Sequence, residues 1–218
     1  LFVHGSEEIE EALDGLVFRL SPASFFQVNP AQAERLYRTA AEWAVVDEID
    51  TVYDLYCGTG TISCYLARRA PHVVGIESEP SAIRNAVENA TRNGLSDQVR
   101  FVEGRAEQEL EALLEESGAE AANISVVLDP PRRGCDPRLL DTLARVQPER
   151  IVYVSCEPST LARDLRRLTE AGYRVERYDG RGAYSVSAER GYWRETGNLV
   201  FHAALVGVLV AVGIGGGF

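Results

Sequence analysis

Lysine and methionine are missing altogether from the chain, tryptophan occurs twice and histidine three times. With no lysine, all 22 basic residues are arginine, and they face 33 carboxylates for a formal charge of −11. So acidic a balance speaks against a nucleic-acid partner at the level of the whole surface, because phosphates demand local positive charge. It does not exclude one, since a local arginine cluster still meets phosphate on an acidic protein. Arginine without lysine, beside dense carboxylate, also fits a high-salt, GC-rich, haloarchaeon-like source. The four cysteines (Cys57, Cys64, Cys135, Cys156) form no CxxC pair and have no histidine at zinc-ligand spacing, so no metal site is expected. No secretory signal opens the sequence, which points to free thiols in a reducing cytoplasm. Without a methionine at position 1, the chain reads as a fragment or a processed product.

Long apolar runs are equally scarce. Leu199–Phe218 is almost wholly apolar, but five of its residues are glycine and no flanking charge cluster would orient it in a bilayer. No membrane span is expected, and part of this run reads as a final buried strand. A chain of 218 residues suits one domain, which buries roughly 70% of its unfolded surface without crosslinks.

From Thr51 onward apolar, β-branched runs alternate with helical stretches. The runs are Thr51–Tyr56, His72–Ile76, Val99–Val102, Ile124–Leu128, Ile151–Val154 and Tyr173–Tyr178. This order predicts an α/β fold with a doubly wound, mostly parallel sheet. Residues 1–30 read as a connecting segment, 31–178 as the main domain, and 179–218 as an atypical tail without clean periodicity.

Four strand ends carry chemistry. Asp54-Leu55-Tyr56-Cys57-Gly58-Thr59-Gly60 closes the first run, where small residues let the backbone turn tightly and approach a ligand. Glu77 closes the second run, where a carboxylate can accept both ribose hydroxyls of a nucleoside cofactor. The turn is GTG rather than GxGxxG, which favours S-adenosylmethionine over a dinucleotide. Leu128-Asp129-Pro130-Pro131-Arg132-Arg133-Gly134 closes the fourth run as a rigid loop. An arginine there, in place of an aromatic residue, argues against amino-group methylation. Val154-Ser155-Cys156-Glu157-Pro158-Ser159-Thr160-Leu161-Ala162-Arg163-Asp164 closes the fifth. On position alone Cys156 is either a small buried apolar residue or a thiolate favoured by a helix start. The other three cysteines read as structural.

Together these segments, with Ser21–Asn29 (SPASFFQVN), resemble the RNA (uracil-5-)-methyltransferases, which make 5-methyluridine in tRNA or rRNA. The resemblance covers roughly residues 14–178 and implies a Rossmann-like S-adenosylmethionine-dependent fold. By that resemblance Gln27, Tyr56, Glu77 and Asp129 contact the cofactor, along the turn of Gly58, Gly60 and Thr61, and Cys156 is the nucleophile. Arg132, Arg133 and Arg163 would meet RNA phosphate or charge developing on the base, or else form surface ion pairs. The family's base-bearing segment after the sixth strand is not found in the tail; Glu189 and Glu195 are the carboxylates nearest its place, and Glu195 is the candidate base. Either a reading-frame change has replaced the tail, or a divergent tail lets Glu195 serve. Two other readings stay open: methylation of cytosine C5, and a cofactor- or RNA-binding module with impaired turnover. The oligomeric state is not legible.

Overall fold

A computed structural model describes residues 9–20, 29–118, 120–179 and 184–190 of the chain. It opens with a hairpin, β1 (Ile9–Leu13) and β2 (Leu16–Leu20), joined by Asp14-Gly15. Both turn residues have positive φ, +50° and +79°. That is the two-residue connection whose twist matches antiparallel strands, and Asp-Gly is a pair that tolerates it.

Seven further strands form one sheet: β3 (Thr51–Leu55), β4 (His72–Glu77), β5 (Val99–Glu103), β6 (Ile124–Leu128), β7 (Arg150–Ser155), β8 (Tyr173–Asp179) and β9 (Tyr184–Arg190). Their order is β5-β4-β3-β6-β7-β9-β8. β3 to β7 pair in parallel, and β9 runs antiparallel to both β7 and β8. The mostly parallel, doubly wound sheet expected from the alternation is therefore present, with one reversed strand.

Strand periodicity divides the core. Val52, Val73, Val99, Val127, Val152 and Val154 face a cluster built with the hairpin, α1 (Pro30–Ala44) and α2 (Thr61–Ala67). Tyr53, Leu55, Val126, Leu128, Ile151 and Tyr153 face the other cluster, with α4 (Ala106–Ser117), α5 (Pro137–Val146) and α6 (Pro158–Glu170). Adjacent strand residues point to opposite faces, so continuous apolar runs such as ISVVL serve both layers. α3 (Pro80–Arg92) packs against β2 and β5.

Two stretches outside the alternating region also form strands. The stretch read as a connecting segment contributes Leu13 and Phe18, both fully buried, to the first cluster. The tail, read as lacking periodicity, carries β9, whose Tyr-Ser-Val-Ser-Ala-Glu alternates apolar and polar residues. Its backbone is paired on both edges, which lets a short and only moderately apolar strand hold its place. Among the described residues no helix is long and apolar enough to cross a membrane, and the run 199–218 lies outside them.

Candidate active site at the strand ends

Strand order reverses between β3 and β6: the chain passes from β3 to β4 and β5 on one side, then to β6 and β7 on the other. In open α/β sheets that switch point leaves a crevice at the carboxyl ends of the strands. The turn after β3 lies at it. Tyr56 (φ +65°), Gly58 (φ +55°) and Gly60 (φ +76°) all adopt left-handed backbone, and for Tyr56 that conformation is strained. A Cβ on Gly58 would meet open space, so backbone is exposed to a ligand there. A Cβ on Gly60 would come within 2.9 Å of Phe101 Cζ and 3.0 Å of Ala86 Cβ. Only glycine fits both the angle and the space. Thr61 opens α2, and its hydroxyl lies 3.3 Å from that of Thr59.

Glu77 holds this turn against β4. Its Oε2 accepts the Gly58 N–H at 3.2 Å, and Oε1 accepts the N–H groups of Ser78 (2.6 Å) and Glu79 (2.9 Å). Two further carboxyls sit nearby. Asp54 is fully buried; Oδ2 accepts the Ser63 hydroxyl at 2.6 Å while Oδ1 has no partner. Burial pushes its pKa up to about 7, against the Ser63 bond that lowers it. Asp129 is half-buried with no hydrogen-bond partner for its carboxyl among the described residues, and desolvation raises it to about 7 as well. A desolvated acid without a donor suits a cationic group such as the amino group of an amino-acid moiety.

The loop after β6 is tied down by α6. Asp164, fully buried, accepts the Cys135 N–H at 2.8 Å and the Tyr153 hydroxyl at 2.7 Å on Oδ2, and Arg163 Nε at 2.8 Å on Oδ1. Arg163 Nη2 then donates to the Arg133 carbonyl at 2.9 Å, and Thr160 Oγ1 to the Arg132 carbonyl at 3.1 Å. Gly134 (φ +78°) allows the close approach: a Cβ there would lie 2.5 Å from Arg163 Nη2. The Asp129 N–H donates to the Leu55 carbonyl at 3.3 Å, joining this loop to the turn after β3. The four sequence segments singled out are thus bonded to one another. Asp164 and Tyr153 were not foreseen as site residues. The legible signal was an acid on the apolar stripe of a helix, beside Leu161, Leu165 and Leu168.

Cys156 follows β7 directly and precedes Glu157, whose carboxylate caps α6 by accepting the Ser159 N–H at 3.2 Å. Of the four free cysteines it is the exposed one. Burial drives the Cys57 thiol up, and those of Cys64 and Cys135 to about 12, as befits structural cysteines. Arg132 and Arg133 are exposed, and neither guanidinium has a hydrogen-bond or ion-pair partner among the described residues. Arg163 differs, being engaged by Asp164 and the Arg133 carbonyl. Gln27 and Glu195 lie outside the described residues. Among the described residues no group of three or more His, Cys, Asp or Glu is placed to hold a metal ion.

Comparison with known proteins agrees with this geometry. A family model described as tRNA (Uracil-5-)-methyltransferase matches residues 5–184, ending ahead of Glu195. An uncharacterized RNA methyltransferase of Caldanaerobacter subterraneus subsp. tengcongensis is 47% identical over 175 residues, 80% of this chain and 38% of that protein. Another, from Gloeobacter violaceus, is 48% identical over 169 residues, 78% of this chain and 35% of that protein. The chain therefore spans less than two fifths of the length of these relatives. Among solved structures, the Pyrococcus abyssi tRNA (uracil-54, C5)-methyltransferase in complex with S-adenosyl-L-homocysteine superposes with a TM-score of 0.68 at 32% identity. That match covers 85% of this chain and 44% of the archaeal one. An Agrobacterium tumefaciens SAM-dependent methyltransferase shares the fold at 19% identity, with a TM-score of 0.64 over 87% of this chain and 72% of that one. With a family match over most of its length and relatives above 40% identity, the chain belongs to the tRNA (uracil-5-)-methyltransferase family.

Proposed function

We propose that this chain is the catalytic part of an enzyme that transfers a methyl group from S-adenosylmethionine to C5 of a uridine in tRNA or rRNA, with Cys156 as nucleophile. The observation that carries the reading is the placement of Cys156, exposed at the tip of β7 and next to the Asp129–Gly134 loop that α6 fixes. The turn residues Tyr56, Gly58, Gly60 and Thr61 would hold the cofactor with Glu77 at its ribose, Asp129 at its amino group, and Gln27 beside them. The donor-poor carboxyl of Asp129 and the open face of Gly58 fit such a ligand. Bound there, the cofactor supplies an electrophilic methyl group.

Uracil C5 is too weak a nucleophile to take that methyl group unaided. The Cys156 thiolate adds to C6, moving the C5=C6 electron pair toward O4 and making C5 nucleophilic. After methylation a base removes the C5 proton, the double bond re-forms and the thiolate leaves. Glu195 is the base of this proposal. Arg132 and Arg133 are available to phosphate or to the O4 charge, whereas Arg163 acts on the loop that carries them. A uridine in folded RNA must be extruded to reach Cys156.

The test is to incubate the chain with S-adenosylmethionine and an RNA carrying 5-fluorouridine, then run a denaturing gel. Fluorine blocks the final proton removal, so a covalent complex accumulates if Cys156 adds and methyl transfer follows. The complex is expected, and it should vanish in Cys156→Ala. Cofactor binding without any adduct would favour the binding-module reading, and an adduct that survives Cys156→Ala would remove Cys156 from its role.

A further inference from the structure

Two asparagines one turn apart, Asn89 in α3 and Asn93 at its C-cap, treat the outer edge of β2 as a neighbouring strand would. Asn93 accepts the Val17 N–H on Oδ1 at 2.9 Å and donates from Nδ2 to the Val17 carbonyl at 2.9 Å. Asn89 repeats the pattern on Arg19, accepting its N–H at 2.7 Å and donating to its carbonyl at 3.3 Å. Residues 17 and 19 present backbone to the same strand edge, and an i, i+4 pair lies on one helix face. Asn89 makes one bond that Asn93 does not: Nδ2 also donates to the Thr59 carbonyl at 3.0 Å. That carbonyl sits between the two left-handed glycines of the turn, Gly58 and Gly60. Asn89 is fully buried, and Ala86, on the same helix, packs where a Gly60 Cβ would go.

A peptide flanked by two glycines is the least constrained point of the turn, and the Asn89 amide fixes its orientation from below. We propose that Asn89 is a positioning residue that couples docking of the β1–β2 hairpin to the shape of the cofactor turn. This rests on the assignment of that turn to S-adenosylmethionine made above. Coupling free energies are reciprocal, so a docked hairpin tightens cofactor binding and bound cofactor tightens the hairpin by the same factor.

The experiment uses the whole chain, with S-adenosylhomocysteine as probe in calorimetry and in amide hydrogen exchange. In the unmodified chain, saturating probe is expected to slow exchange of the Arg19 amide, which donates to Asn89. Asn89→Ala should raise the probe Kd about tenfold, the cost of one buried hydrogen bond. Asn89→Asp should match it, because an aspartate keeps the acceptor for Arg19 N–H but offers no donor to Thr59. Asn93→Ala removes the two bonds to Val17 and one to the Asn89 carbonyl but none to the turn, and should leave Kd within about twofold. Equal shifts in the Asn89 and Asn93 variants, or an Arg19 amide indifferent to bound probe, would overturn the coupling. Glu77→Ala separates the two ideas: if it binds like the unmodified chain, the turn's assignment fails. If Glu77→Ala loses binding while Asn89→Ala does not, only the coupling fails. The exchange measurement needs no variant, so a substitution that unfolds the chain still leaves the proposal open to refutation.

Discussion

Asp129 shows how burial prepares a residue for a charged ligand. Its carboxyl is raised from 3.8 to about 7 by desolvation alone. The folded chain therefore holds this proton more tightly than the unfolded chain does. The resulting stability is fully present below about pH 4 and is lost as pH rises through about 7. A cationic cofactor group beside it favours the ionised form, so binding must displace the proton whenever the pH lies below that value. We expect S-adenosylmethionine to bind about tenfold more weakly at pH 6 than at pH 8. Asp129→Asn should bind weakly at both pH values, with little change between them. Calorimetric titration at the two pH values checks this, and a pH-independent Kd in the unmodified chain would exclude Asp129 from the cofactor's charged end.

Four helices begin with the same local device. Asn29-Pro30, Glu79-Pro80, Asp136-Pro137 and Glu157-Pro158 each place a side-chain acceptor at the N-cap and proline in the first turn. The cap satisfies an orphan N–H, and proline lacks the donor that would go unpaired. Three of these starts follow strand ends or the loops at them, and they fix where α3, α5 and α6 leave the sheet. Contacts between elements were less legible. Arg163 is drawn from a helix to a loop carbonyl thirty positions away in sequence, and no local pattern announces that. Gly134→Ala tests the tie, since a Cβ would collide with Arg163 Nη2 and Asp164 Oδ2 at a φ of +78°. Adduct formation on 5-fluorouridine RNA should slow by roughly 100-fold, as when reacting groups shift by about 1 Å. Cofactor Kd, read on the same preparation, should change much less. An unchanged adduct rate would mean that the loop's position does not matter to the thiol.

At the scale of the molecule, β9 decides how the sheet ends. It lies between β7 and β8, so β8 has no direct pairing with β7 and reaches the parallel sheet only through a strand that follows it in sequence. Ending the chain after Asp179 leaves β7 with an unpaired edge and β8 with no partner strand. We expect the thermal midpoint to fall by at least about 5 °C, with more aggregation; an unchanged midpoint would show that β9 contributes little. The sequence determined the alternation of strands and helices, the positions of the four chemistry-bearing strand ends, and the family, because these rest on local periodicity and short contiguous motifs. The docking of the hairpin, the place of β9, the Asp164 anchor and the two asparagine amides were decided by the tertiary structure alone. Each depends on partners distant in sequence, such as Asn89 with Arg19 seventy positions away. Two of the proposed site residues, Tyr56 and Asp129, illustrate the same division. Their motifs locate them, but a strained φ and an acid without a donor arise only when β3 and β6 lie side by side.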